Sequence, residues 1–152
     1  MKSKLPSRKS LPHDVPPWAR GDDLYFITIC GQPKGANQLC RPQYGSALME
    51  AARFYESNAQ WNPLVFLLMP DHLHLLAAFA ANPGVKATVT AWKRYTARQH
   101  GISWQRDFFE HRIRRHESAV EKVEYIRMNP VRAGLVESPN EWPWVILSED
   151  LR

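Results

Sequence analysis

The chain has 152 residues, of which 44% are hydrophobic, and a formal net charge of +5. A chain of this length and hydrophobic content forms a single domain with a substantial core, which excludes a disordered protein. Its longest apolar run, 75–81, is too short to span a membrane, and no apolar segment follows the basic N-terminus as a secretory signal requires. Cys30 and Cys40 lack the spacing of a zinc site, so we expect reduced thiols in a cytoplasmic protein.

The first 20 residues are basic and rich in proline, which disfavours regular structure. We therefore predict an extended N-terminal arm over 1–20, a folded domain over 21–147 and a short tail over 148–152. Such an arm is either a contact for a phosphate backbone or a solvated tail. The positive net charge of the whole chain favours an anionic partner.

The body of the chain contains patterns typical of strands and helices. Apolar and β-branched runs predict strands, and apolar residues three or four apart predict helices. In chain order, the patterns predict a strand at Leu24–Cys30, a helix at 44–59, strands at 64–69 and 72–79, a helix at 85–99, a loop, and a helix from a capping box at Ser118 to about Asn129. This order indicates an α+β fold, in which helices pack on a single antiparallel sheet.

The segment MPDHLHLL, residues 69–76, places two histidines at alternate positions of a predicted strand. Because side chains alternate between the faces of a strand, His72 and His74 are expected to point to the same face. Two adjacent imidazoles can bind one divalent metal ion. In isolation, however, a short His-x-His pattern favours two polar residues on a half-exposed strand.

The last predicted helix carries Tyr125 and Asn129 four residues apart, on one helical face. An amide oxygen is an acceptable third ligand for Mg²⁺ or Mn²⁺. A phenol beside such an ion is a plausible covalent nucleophile. Each residue also has a structural interpretation, with Tyr125 in the core and Asn129 as a helix cap before Pro130. Only the combination of these residues with the two histidines indicates a site.

Three segments carry a resemblance to a known family. They are WNPLVFLLMPDHLHLL at 61–76, AWKRYTARQHGISWQRDFFEHRIR at 91–114 and EYIRMNPVRAGLV at 124–136. With these segments in this order, the chain resembles the REP-associated tyrosine transposases, a branch of the single-tyrosine HUH nucleases, over residues 11–145. MPDHLHLL and YIRMNPVRAGLV together are far more specific than a lone His-x-His or a lone tyrosine.

The resemblance implies a ferredoxin-like or RRM-like antiparallel sheet and a transposase activity on single-stranded DNA. It implies that His72, His74 and Asn129 bind Mg²⁺ or Mn²⁺, and that Tyr125 attacks a phosphodiester to leave a 5′-phosphotyrosine link. The implied partner is hairpin DNA from short palindromic repeats of the bacterial nucleoid, bound by a monomer or a homodimer. No nucleotide cofactor is implied, and the sequence contains no Walker-type phosphate-binding motif.

Six cations then become candidates for contacts with DNA phosphates, although each could instead belong to a solvated face. They are Lys93, Arg94, Arg98, Arg112, Arg114 and Arg115. The resulting functional prediction is a metal-dependent tyrosine endonuclease and strand transferase at hairpin repeats. The main alternative is a hairpin-DNA-binding module that does not cut. An RNA-binding domain is disfavoured because no strand carries the usual run of aromatics, and a metal hydrolase that uses water as the nucleophile would leave Tyr125 without a role.

Overall fold

The computed structural model of the chain describes residues 23–113 and 116–151. The predicted N-terminal arm lies outside the described residues. In chain order, the elements are β1 (Leu24–Cys30), α1 (Pro42–Ser57), β2 (Trp61–Leu68), β3 (His72–Phe79), α2 (Val85–His100), β4 (Phe109–Ile113), α3 (His116–Arg127), α4 (Asn129–Arg132), a 3₁₀ turn (Pro139–Glu141), β5 (Val145–Leu147) and a second 3₁₀ turn (Glu149–Leu151).

The strands form one five-stranded antiparallel sheet in the order β4-β1-β3-β2-β5. β3, which carries the two histidines, lies at the centre of this sheet. The predicted α+β class, with helices packed on an antiparallel sheet, is confirmed. Within the described residues, no helix combines the length and the hydropathy that a membrane crossing demands.

Alternation along the strands divides the core into two layers, one on each face of the sheet. Leu73 and Leu75 of β3 pack in the layer that contains buried residues of α1 and α2, such as Trp92. Leu76 of β3 packs in the opposite layer with Val123 of α3. We call these the α1/α2 face and the α3 face of the sheet. The odd-even alternation of β3 therefore decides which helices its histidines meet.

Two short strands at the edges of the sheet are missing from the sequence-based prediction. β4 lies in the segment predicted to be a loop, because four of its five residues are exposed and show no apolar alternation. β5 has only three residues, which is too short for a periodic signal. Each of these strands has a single neighbour in the sheet. At such an edge, backbone pairing rather than side-chain burial defines the strand.

The boundaries of other elements also differ from the prediction. α3 begins at His116, so the predicted capping box at Ser118 lies inside the helix, and α3 ends at Arg127. Asn129 begins the short helix α4. Pro130 explains the break, because proline has no N–H for the preceding turn but is tolerated at the start of a helix. β2 begins three residues earlier than predicted, and its register with β3 shifts after Pro63.

Candidate active site

The two histidines of β3 lie side by side on the α3 face. The ring centroids of His72 and His74 are 4.9 Å apart. Nδ1 of His72 lies 2.8 Å from Oδ1 of Asp71, and Nδ1 of His74 lies 2.9 Å from Oγ1 of Thr28. With both Nδ1 atoms held by oxygen partners, the Nε2 atom of each ring is the one placed to bind an ion.

The electrostatics of this pair favour neutral imidazole at His74. His74 is only 9% exposed. Burial, followed by the charges of His72, Arg132 and Lys122, lowers the pKa of His74 to about 3. Burial alone would raise the pKa of the Asp71 carboxyl, but hydrogen bonds from His72 and from the Gly35 amide outweigh it and lower that pKa. An ionised Asp71 is therefore the anchor for the His72 ring.

The chemistry of these donors fits a divalent metal ion. Histidine ligands characteristically hydrogen-bond through the second ring nitrogen to a carboxylate or a similar oxygen, which fixes the tautomer and the orientation of the ring. Asp71 occupies that position for His72, and the Thr28 hydroxyl occupies it for His74 when it accepts the Nδ1 proton. Among the residues that the structure describes, no cluster of three or more His, Cys, Asp and Glu residues could hold a metal ion. Among the described residues, a further ligand beside the two histidines would therefore be of another type, such as an amide.

Tyr125 is exposed at the C-terminal end of α3, between two cations. Its side chain is 53% exposed, so its interpretation as a core residue is wrong. The guanidinium carbon of Arg132 lies 4.1 Å from the centroid of the Tyr125 ring, and Nζ of Lys122 lies 5.2 Å from it. Lys122 precedes Tyr125 by three residues and therefore shares its helical face. Both cations lie against the phenol ring, which favours the approach of an anionic group such as a phosphate.

The break between α3 and α4 orients the amide of Asn129. In a continuous helix, the carbonyl of Ile126 would accept a hydrogen bond from the N–H of residue 130, but Pro130 has none. Nδ2 of Asn129 donates to that carbonyl instead, at 3.1 Å. Its other atom, Oδ1, accepts from the guanidinium of Arg132 at 3.0 Å. The predicted role of Asn129 as a cap is therefore observed, and its oxygen points toward the residues around Tyr125.

A continuous series of contacts joins the histidine pair to the tyrosine. The ring of Phe26 is stacked on His74, with centroids 5.5 Å apart. Nζ of Lys122 lies 4.8 Å from the centroid of Phe26 and also contacts Tyr125. The four residues singled out in the sequence thus lie on the α3 face, in two groups that Phe26 and Lys122 connect.

The candidate DNA-binding cations that the structure describes do not form one surface. Arg94 and Arg98 are exposed on α2, on the opposite face of the sheet from Tyr125. Arg112 is exposed on the edge strand β4 and pairs with Asp23 at 2.9 Å. Arg114 and Arg115 lie outside the described residues.

Lys93 does not fit the predicted contact with DNA. Its side chain is 9% exposed, and Nζ donates to the backbone carbonyls of residues 105, 106 and 107 at 2.8, 2.9 and 3.3 Å. Lys93 therefore holds the segment between α2 and β4 in place. This finding corrects the prediction from the sequence, in which a cation on a basic helix was expected to face solvent or DNA.

Several residues of the site were not predicted from the sequence. The spacing of Lys122 from Tyr125 is a signal that could have placed it beside the phenol. Asp71 directly precedes His72, and a carboxylate next to a candidate ligand is a further usable signal. Thr28 gave no sequence signal, because it lies 46 residues from His74 and reaches it only through the pairing of β1 with β3.

The fold is that of a transposase of known structure. A REP-associated tyrosine transposase, solved while bound to a REP hairpin, superimposes on this chain with a TM-score of 0.71. The match covers 86% of this chain and 79% of that chain, at 22% sequence identity. At this identity the similarity shows the fold alone. No family model matches the sequence.

Sequence relatives then specify the family that the chain resembles. A protein of Haemophilus influenzae named "Putative REP-associated tyrosine transposase" is 28% identical over 149 residues, which cover 85% of this chain and 82% of the relative. The REP-associated tyrosine transposase of Escherichia coli is 28% identical over 91 residues, which cover 57% of this chain and 54% of that protein. The resemblance of the chain to the REP-associated tyrosine transposases is confirmed.

Proposed function

We propose that this chain is a transposase-like endonuclease and strand transferase that acts on single-stranded DNA at hairpin repeats. The observation that carries the proposal is the position of Tyr125, which is exposed against Lys122 and Arg132 and is joined through Lys122 and Phe26 to the histidine pair. The relatives named as REP-associated tyrosine transposases, and the structural neighbour solved with a REP hairpin, support the choice of hairpin DNA as the partner.

In the proposed reaction, the phenol oxygen of Tyr125 attacks the phosphorus of a phosphodiester. The new bond joins tyrosine to the 5′-phosphate, the bond from phosphorus to the 3′-oxygen breaks, the phenol loses its proton, and the 3′-oxygen gains one. Lys122 and Arg132 stabilise the negative charge that develops on the phosphate. Because the phosphotyrosine retains the energy of the broken bond, a second strand end can be joined without a nucleotide cofactor.

The residues that would hold a divalent ion are His72, His74 and Asn129. Nε2 of each imidazole and Oδ1 of the amide are the atoms that would bind it, with Oδ1 also accepting from Arg132, and Asp71 and Thr28 orient the two rings. Mg²⁺ or Mn²⁺ bound there would supply charge neutralisation at the scissile phosphate. The contacts of Asn129 with Ile126 and Arg132 would keep its oxygen on the side of the helix that carries Tyr125.

One observation favours a second candidate function, a module that binds hairpin DNA without cutting it. Both polar atoms of the Asn129 side chain already have protein partners, so the amide is satisfied without a metal ion. A non-cleaving protein could retain this arrangement for the stability of the α3–α4 junction alone. The exposed cations beside Tyr125 would then serve only to bind phosphates.

The experiment that separates the two functions follows both ends of the DNA. A single-stranded repeat hairpin, labelled at the 5′ end or at the 3′ end, is incubated with the protein and Mn²⁺ and resolved on a denaturing gel. We expect a covalent protein–DNA band that carries only the 3′ label, because tyrosine becomes linked to the 5′-phosphate of the downstream fragment. Tyr125→Phe should abolish this band, and chelation of the metal should do the same.

Tyr95→Phe is the matched control, because Tyr95 is also an exposed tyrosine but lies on α2, on the α1/α2 face of the sheet. It should cleave like the unmodified chain. Shifted complexes without cleavage, across several repeats, would support the binding module instead. Cleavage that survives Tyr125→Phe would indicate a hydrolase that uses water.

A further inference from the structure

An aromatic side chain is exposed on the edge strand β4, beside the candidate active site. Phe109 is 54% exposed, and it belongs to a strand in which four of the five residues are exposed. Its face of the strand is fixed by contact with Phe26, whose ring meets it edge to face at 5.9 Å. Phe26 is the residue that stacks on His74, so Phe109 lies on the α3 face.

The sheet register places Phe109 level with the histidine pair. Phe109 is the β4 partner of Thr28 on β1, and Thr28 is in turn the partner of His74 on β3. Three side chains thus form one row across three adjacent strands. Neighbouring strands are about 4.8 Å apart, so the backbone of Phe109 lies about 10 Å from that of His74. This separation is within the reach of a nucleotide next to the one whose phosphate enters the site.

The ring of His111 extends the exposed aromatic surface that Phe109 forms. His111 follows Phe109 on the same side of β4, and the two rings are nearly parallel, with an interplanar angle of 21° and centroids 6.5 Å apart. His111 is also exposed. The cation Lys122 lies over Phe26, the residue that contacts Phe109. An exposed aromatic surface beside a cation has the composition that binds single-stranded nucleic acid, in which rings stack on bases and cations meet phosphates.

We propose that Phe109, supported by His111, stacks on an unpaired base of the DNA strand next to the phosphodiester that Tyr125 attacks. This inference rests on the proposed function, since it requires a single strand to pass over the α3 face. It assigns to β4 the role of a base-positioning subsite. Stacking accepts any base, so the subsite fixes the path of the strand rather than its sequence.

A second copy of the chain is the other conceivable occupant of an exposed edge strand. The charges of β4 disfavour it, because Glu110 and Arg112 alternate with the aromatic residues and Arg112 pairs with Asp23 of the same chain. Charged side chains on an edge strand oppose pairing between sheets. A nucleobase needs only the ring face and leaves those charges solvated.

The test combines DNA that lacks one base with a protein that lacks the Phe109 ring. Repeat hairpins with short unpaired flanks, each with one abasic site at a different flank position, are titrated with the full chain in the presence of a chelator, and Kd is measured by fluorescence anisotropy. We expect one position at which loss of the base weakens binding by roughly 10-fold, the effect of one stacked base. Phe109→Ala should weaken binding of intact DNA by a similar factor and should be insensitive to that abasic site, whereas Phe109→Trp should restore both.

Phe54→Ala is the matched control, because Phe54 is 62% exposed on α1, which packs on the other face of the sheet. It should bind every DNA like the unmodified chain. Equal sensitivity of Phe109→Ala and the unmodified chain to every abasic site would overturn the proposal, as would a change in oligomeric mass in Phe109→Ala at unchanged Kd. The cleavage gel with Tyr125→Phe reports separately on the proposed function, since this titration needs neither metal nor cleavage.

Discussion

Arg132 connects the two residues of the candidate site that come from the C-terminal part of the chain. Its guanidinium lies over the Tyr125 ring and donates hydrogen bonds to the Tyr125 carbonyl and to Oδ1 of Asn129, both at 3.0 Å. A planar guanidinium can stack and donate at the same time, whereas an ammonium cannot reproduce that geometry. Arg132 is therefore a positioning residue for the nucleophile and the amide.

We expect Arg132→Ala to lower the rate of covalent complex formation by roughly 10- to 100-fold, the usual cost of removing a residue that orients a metal ligand. The apparent KM for DNA should change much less than kcat. Arg132→Lys should recover only part of this loss, because it retains the positive charge but not the stack on Tyr125. Arg127→Ala is the control, since the Arg127 guanidinium donates a hydrogen bond to Oδ1 of Asn140. Full rescue by lysine would reduce Arg132 to a source of positive charge.

Lys93 has a structural role that can be separated from DNA binding. Lys93→Met retains most of the buried stem but removes the ammonium that three backbone carbonyls share. We expect the free energy of unfolding in urea to fall by about 2 kcal/mol, as for loss of a charged hydrogen bond. The exposed neighbour Arg94 provides the control, with Arg94→Met changing stability by less than about 0.5 kcal/mol. A loss of DNA affinity in folded Lys93→Met without loss of stability would contradict this assignment.

At the residue scale, local periodicity predicted which side chains share a face, whereas contacts between residues distant in the chain could not be predicted. The alternation of β3 placed His72 and His74 together, because it depends only on strand geometry. The environment of Lys93 depends on how the segment at 105–107 folds back on α2, which no local pattern encodes. The role of Asn129 as a ligand stays a prediction.

At the scale of elements, the position of the edge strand β5 depends on the packing of Trp144 against Gly45 and on hydrogen bonds to Leu68. An added Cβ at Gly45 of α1 would lie 2.5 Å from the ring of Trp144, which directly precedes β5. The Trp144 carbonyl accepts a hydrogen bond from the Leu68 amide at 2.9 Å, and Nε1 of Trp142 donates to the Leu68 carbonyl at 2.9 Å. The sequence could not predict this strand, because its position depends on contacts with α1 and β2 that are distant in the chain.

We expect Gly45→Ala to destabilise the protein by about 1–3 kcal/mol, because overpacking displaces the Trp144 ring. Helix propensity alone predicts the opposite sign, a gain of up to about 1 kcal/mol. Ser46→Ala is the matched control on the exposed side of α1 and should leave stability within about 0.5 kcal/mol. Urea unfolding gives the sign, and hydrogen exchange at the Leu68 amide should become faster in Gly45→Ala. A more stable Gly45→Ala protein would show that Trp144 moves without cost.

At the scale of the whole molecule, positive charge lies on both faces of the sheet. Lys122 and Arg132 flank Tyr125 on the α3 face, whereas Arg94 and Arg98 are exposed on α2, on the α1/α2 face. A single strand that crosses the α3 face would not reach α2. The helical part of a hairpin is wide enough to extend beyond the edge of the sheet. Arg94 and Arg98 can therefore contact phosphates, as predicted, only if the hairpin wraps around an edge of the sheet.

Salt dependence of binding distinguishes a wrapped hairpin from one confined to the α3 face. If Arg94 and Arg98 each contact a phosphate, the variant with both changed to Ala should bind the hairpin more weakly and lower the slope of log K against log salt by about 2, because each contact releases about one counterion. Cleavage at saturating DNA should be unchanged, since neither residue lies near Tyr125. Arg53→Ala with Lys86→Ala removes the same charge from exposed positions of α1 and α2 and should reduce the slope much less. Equal slopes for the two double variants would mean that only long-range charge acts there and that the hairpin does not reach α2.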